Sequence, residues 1–141
     1  MMKKLSIVAL LILLVSASIS FADDKTPAQM AETFFQTIEK GQVSLAYDQL
    51  FVNSSIPASK PQAVQLLKTQ TQTALSLYGN ILGVEKIYEE KIGQSIIRLV
   101  YVLKLDVSPT SWEFYFYKPK NVWFLADITF NDQFNLLERK H

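Results

Sequence analysis

The spacing of apolar residues changes at Gly79-Asn80, and the change divides this chain into two kinds of structure. Upstream, apolar side chains recur every three or four residues, the period of an amphipathic helix. Downstream, β-branched and aromatic residues follow period two in "GVEKIYEEKI", "SIIRLVYVLKL", "SWEFYFY" and "VWFLADITF", which are separated by "GQ", "DVSPT" and "KPKN". Period two with turn residues between the runs predicts four strands joined as antiparallel hairpins. Helices first and strands afterwards make an α+β domain. The expected architecture is three N-terminal helices packed on one face of a curved four-stranded antiparallel sheet.

The helical half carries its own punctuation. Thr26-Pro27-Ala28-Gln29 reads as a capping box with proline at the first helical position, and Met30, Phe34 and Ile38, joined by Ala31 and Phe35, form the apolar stripe that follows. Gly41 suits the left-handed residue that ends this helix. In "QVSLAYDQL" the residues Val43, Ala46, Tyr47 and Leu50 share a face, which predicts a second, shorter helix. Ser59-Lys60-Pro61-Gln62 repeats the capping-box pattern. It predicts a third helix from about Lys60 to Tyr78, with Ala63, Leu67, Thr71, Ala74 and Tyr78 on one face and Gly79-Asn80 closing it.

Ahead of all this, "MMKK" joined to "LSIVALLILLVSASIS" is a short basic head on an uncharged apolar run, the pattern of a secretory signal. Small residues at Ser20 and Ala22 place the cut after Ala22, so that the mature chain begins at Asp23. An uncleaved membrane anchor is the rival reading, because the run approaches bilayer-spanning length. The reading adopted is a signal peptide over residues 1–22 and a single domain over 23–141, exported to a periplasm or the medium and not membrane-bound after cleavage. The chain has no cysteine, which excludes both a lipid-modified N-terminus and disulfides.

Without Lys3 and Lys4, the 14 basic residues of the whole chain become 12 against 13 acidic ones, a net charge of −1. A near-neutral chain with scattered Lys and Arg lacks the electrostatic footprint that a nucleic acid needs. The one histidine, His141, is the last residue. With carboxylates scattered without ligand spacing, neither a metal site nor a Cys-His or Ser-His-Asp nucleophile is expected, and no cofactor is called for. Glu85, Glu89 and Glu90 with Lys86 and Lys91 read as a charged strand edge that resists aggregation.

The "FFQTIEKGQVSLAYDQL" helix-Gly-helix opening, the long third helix, "ILGVEKI", an alternating strand and "WEFYFYKPKNVWFLADITF" together resemble the nuclear transport factor 2-like superfamily of cone-shaped α+β domains. The resemblance spans roughly residues 28–135. It implies a cone with a cavity between sheet and helices and frequent dimerisation through the sheet. The superfamily includes ketosteroid isomerase and scytalone dehydratase, as well as many domains without known catalysis.

Strand alternation sorts the side chains into two faces. Trp112, Phe114 and Phe116 with Val122, Phe124, Ala126, Ile128 and Phe130, matched by Ile97, Leu99, Tyr101, Leu103 and Leu105, carry no charge and read as the helix-facing core. From that side Phe34, Tyr78, Tyr101 and Trp112 are expected to line any cavity. The other face holds Val100, Val102, Tyr115, Tyr117, Trp123 and Leu125, bordered by Arg98, Lys104, Glu113 and Asp127. An aromatic and aliphatic centre with a charged rim is the anatomy of an interface. Two copies about a two-fold axis could set Arg98 and Lys104 of one against Glu113 and Asp127 of the other; charge pairing within one sheet, with "QFNLLERKH" folded over the patch, is the competing arrangement.

An isomerase of the kind the resemblance brings in needs a carboxylate base and hydrogen-bond donors aimed at one oxyanion. Glu113 and Asp127 fall on the wrong face for that, Asp106 at a strand end and Asp48 on the second helix. The sequence therefore points to a non-catalytic exported module that binds a partner protein, its own copy or a small apolar ligand. A small isomerase- or dehydratase-like enzyme is the alternative, and an inward carboxylate touching a cavity would favour it.

Overall fold

The computed structural model describes residues 24–132. The cleavage site at Ala22 and Asp23, the segment "QFNLLERKH" and His141 lie outside them. Helices α1 (Pro27–Glu39), α2 (Val43–Leu50), α3 (Ile56–Ser59) and α4 (Pro61–Tyr78) precede strands β1 (Ile81–Ile92), β2 (Ile96–Leu105), β3 (Thr110–Tyr117) and β4 (Phe124–Asn131). The strands form one antiparallel sheet in the order β1-β2-β3-β4.

The start of α1 follows the sequence closely. The Gln29 amide donates to Thr26 Oγ1 at 3.3 Å and the Thr26 amide to Gln29 Oε1 at 2.9 Å, which satisfies two donors that a bare helix end would leave open. Gly41, at φ +75°, turns the chain into α2. α4 starts within one residue of the expected Lys60 and ends at Tyr78 as expected, but the capping box expected at Ser59 is absent. Pro57 opens the extra turn α3, so Ser59 lies inside it and its hydroxyl donates back to the Ser55 carbonyl at 2.9 Å; Lys60, without a side-chain cap, leads into α4. The buried positions of α4 are Val64 and Thr71, and Ala63 is exposed.

Helices and sheet meet in one core, to which α1 gives Met30, Ala31, Phe34, Phe35 and Ile38, α2 gives Val43, Ala46, Tyr47 and Leu50, and the sheet gives one face of β2 and β3. Its centre is aromatic. Phe34 stands 5.1 Å from Tyr47 and 5.5 Å from Trp112 between ring centroids, and Phe35 stands 5.2 Å from Tyr101. Such edge-on and tilted contacts add to area burial. Three buried polar side chains pair in chains of hydrogen bonds: Tyr47 donates to Thr71 Oγ1 at 2.7 Å, Thr71 donates to the Leu67 carbonyl, and Trp112 Nε1 donates to Thr110 Oγ1 at 2.9 Å.

The pairing of β4 departs from strict alternation. Asp127 stands opposite Tyr115, but Leu125, not Ala126, stands opposite Phe116, so Ala126 is an extra residue. One inserted residue exchanges the two faces for everything beyond it. Leu125, expected in the outer patch, is 0 % exposed in the core, and Phe124, expected in the core, pairs with Tyr117 on the other side with rings 5.6 Å apart. A bulge suits an edge strand, and the Ser54 hydroxyl secures this one by donating to the Leu125 carbonyl at 2.9 Å. Val122 and Trp123 precede the strand. Trp123, also expected in the outer patch, packs against the core on the helix side, while Val122 is exposed rather than buried.

Candidate binding surfaces

On the face of the sheet turned away from the helices, Arg98 of β2 organises its neighbours. Its Nε and Nη2 donate to Glu113 Oε1 and Oε2 at 3.2 Å each, its Nη1 lies 3.5 Å from Glu90 Oε2, and its guanidinium carbon sits 5.4 Å from the centre of the Tyr88 ring. A bidentate pair with a stacked ring is what a planar guanidinium favours. The hydrogen bonds to Glu113 are the main reason that the Arg98 pKa is raised further. Tyr115 is also pushed up, first by burial and then by its hydrogen bond to Glu113. Lys104 pairs with Glu85 of β1 at 3.1 Å.

These bonds correct the expected rim. Antiparallel register puts Arg98 beside Tyr115 and Val100 beside Glu113, so the Arg98 and Glu113 side chains meet on a diagonal within one sheet. The face that remains is aromatic and locally balanced in charge. It comprises Tyr88, Val102, Tyr115, Tyr117 and Phe124 around a buried Val100, with Asp127 exposed on β4. Tyr88 and Phe124 were missed because bulges in β1 and β4 re-aim them. The Glu90–Arg98 contact could have been found by counting back from the tight turn at Gly93, which pairs Ile92 with Ile96.

The four side chains expected to line one cavity are divided among three places. Phe34 and Trp112 are packed core. Tyr78, half-exposed at the end of α4, donates to Asp132 Oδ2 at 2.6 Å, and that bond raises its pKa. Tyr101 lines a cavity of about 380 Å³ between α1 and the helix-side face of β1 and β2, together with Phe35, Val84, Glu32, Glu39 and Lys86. Its hydroxyl is buried and has no hydrogen-bond partner. Burial, then the carboxylates of Glu32 and Glu89, push its pKa up to about 12. A second recess, of about 290 Å³, lies between α1, the end of α2 and Trp123, whose ring carries Lys118 Nζ at 4.9 Å from its centre.

The remaining acids named from the sequence are tied to structural partners. Asp106 Oδ2 accepts from the Asn80 amide at 2.9 Å and closes the corner at Gly79, where φ is +87° and an added Cβ would lie 2.9 Å from the same oxygen. Asp48 pairs with Lys68 at 2.8 Å. Among the described residues no cluster of three or more His, Cys, Asp or Glu is placed to hold a metal ion, and no helix is long and apolar enough to cross a membrane.

Comparison with models of protein families, with curated proteins and with solved structures gave no match.

Proposed function

We propose that this chain is an exported, non-catalytic binding domain whose working surface is the outer face of the sheet, where it joins a second copy of itself. One observation carries the reading. Tyr88 and Tyr117 stand 46 % and 38 % exposed on the face opposite the helices, with Tyr115 half-buried and the Arg98 guanidinium between them, and with half-buried Phe124 beside Tyr117 and Val102 beyond Val100. Contiguous aromatic surface of this kind marks an interaction site on a small domain. Because Arg98 and Lys104 find their counter-charges within the sheet, a partner meets rings rather than free charges, and a self-complementary patch closes most simply about a two-fold axis. Export rests on the "MMKK" head with its apolar run and small-residue end. The reading of the domain as one of the nuclear transport factor 2-like superfamily is part of the proposal and rests on the sequence resemblance over roughly residues 28–135.

Catalysis is the weaker reading. Glu32 and Glu39, the two carboxylates that line the Tyr101 cavity from α1, are exposed at its rim and not held inside a dry, preorganised site of the sort that isomerase or dehydratase chemistry uses. The test is mass by light scattering during gel filtration at high micromolar concentration. The wild type is expected to run as a dimer and the double variant Tyr88→Glu, Tyr117→Glu as a folded monomer with unchanged helical circular dichroism. A monomeric wild type, or a variant that remains dimeric, would overturn the proposal.

A further inference from the structure

We propose that residues 133–141, the "QFNLLERKH" that follows β4, dock in the groove between the second half of α4 and the end of β4, so that the chain covers its own least-covered helix. This goes beyond the sheet-face interface and does not depend on it. The groove has a volume of about 330 Å³; α4 presents Thr73, Ala74, Leu77 and Tyr78 to it from one side, and Phe130 and Asp132 flank it on the other. α4 is 18 residues long, yet its buried residues are Val64 and Thr71 alone, and Leu77 is 63 % exposed. A helix packed on a domain normally buries three or four positions in every two turns, so this one lacks cover over its second half. Phe130 stacks on Trp112 with ring centroids 4.5 Å apart, and its remaining surface, half-buried, forms the facing wall.

The place where the chain leaves the sheet selects the occupant. Tyr78 donates to Asp132 Oδ2 at 2.6 Å, which fixes the departure toward residue 133 at the mouth of the groove, beside the last turn of α4. The α4 wall from Thr69 to Tyr78 is about 13 Å long at a rise of about 1.5 Å per residue. Nine residues, 133–141, follow Asp132, and a chain that advances up to about 3.3 Å per residue reaches the far end with length to spare. Their order matches the wall. Phe134, Leu136 and Leu137 come first, nearest the apolar stretch at Leu77 and Phe130, and Glu138, Arg139 and Lys140 come last, where the wall becomes Thr69 and Gln70 at the solvent edge. A second copy or a free ligand would compete with a segment tethered at the mouth, whose effective concentration is on the order of millimolar. Docked there, the segment stays on the helix side of the sheet and leaves the outer face open.

The experiment uses the mature chain labelled with nitrogen-15 and carrying a nitroxide on Asn135→Cys, a unique attachment point because the sequence has no cysteine. Amide signals of Thr73 and Leu77 should broaden, and those of Tyr88 and Tyr117 on the outer face should not. When the nitroxide is placed on an isotopically unlabelled copy mixed with unmodified labelled chain, Thr73 and Leu77 should stay sharp. A second variant, Leu77→Glu, changes a side chain that is largely exposed among the described residues; it should lower the melting temperature of the intact chain by several degrees and leave that of a chain ending at Asp132 unaltered. Broadening at Tyr88 and Tyr117 in place of Thr73 and Leu77 would put the segment over the outer face and overturn the proposal. Broadening of Thr73 and Leu77 between copies, no broadening at all, or an equal effect of Leu77→Glu on both chain lengths would each overturn it as well.

Discussion

Successive residues of β3 show what the two faces of this sheet have become. Trp112, Phe114 and Phe116 are sealed against α1 and the neighbouring strands, and Trp112 is 1 % exposed; Glu113, Tyr115 and Tyr117 on the reverse grade from half-buried to open. Both faces are rich in rings, so composition does not separate them. The difference is what each ring touches. On the inner face every ring of β3 is enclosed by other rings, whereas on the outer face the one ring pair, Tyr117 with Phe124, and Tyr88 and Tyr115 beside the Arg98–Glu113–Glu90 network stay open to water. Aromatic content alone therefore identifies neither a core nor an interface; coverage by the helices decides.

The largest expected effect sets these faces directly against each other. Trp112→Ala removes a ring packed on Phe34, Phe35 and Phe130 and should cost about 3–5 kcal/mol of unfolding free energy. Tyr117→Ala on the reverse of the same strand should cost less than about 1 kcal/mol in the monomer. Urea unfolding of both variants measures the gap. Equal losses would show that the outer face is as fully packed as the inner one.

A somewhat smaller contrast tests the bulge at Ala126. If Leu125 belongs to the core, Leu125→Ala should cost about 2–5 kcal/mol, and Phe124→Ala, on the half-buried outer side, about 1–2 kcal/mol. Strict alternation predicts the reverse order, so the ranking of the two urea midpoints decides the register of β4.

How much of this could be read from residues alone depended on how local each signal was. The α+β order, all four strands, the Thr26 capping box and the turn at Gly41 are set by residues within a few positions of each other, and the sequence shows them. The α4 bounds were legible to within a residue, but its cap was misread because Pro57, two residues upstream of Ser59, claims Ser59 for its own turn. The bulge left no local mark at all: Ala126 is an ordinary residue, and what holds the slip is a bond from Ser54 in a distant loop. That single slip exchanged the faces of Leu125 and Phe124. The Tyr101 cavity was half legible. Alternation turned Tyr101 inward, but its enclosure by Glu32, Glu39 and Lys86 depends on how far α1 reaches across β1.

The smallest effect compares a tyrosine from each face in alkaline solution. Both Tyr101, inside, and Tyr115, outside, have raised pKa values with burial as the leading cause, and Tyr101 reaches about 12. Above pH 10 the unfolded chain releases its tyrosine protons, while the native state keeps the one on Tyr101 until about pH 12. The native state then binds more protons than the unfolded one, so stability falls as pH rises through that window and is fully retained below it. Tyr101→Phe should flatten this alkaline decline in urea midpoint. Tyr115→Phe should flatten it less, because Arg98 beside it favours the phenolate and opposes the other causes. The slope does not vanish in either variant, since Tyr47, buried and bonded to Thr71, is raised further still. A Tyr101→Phe profile superimposable on wild type would mean that this hydroxyl is hydrated in solution.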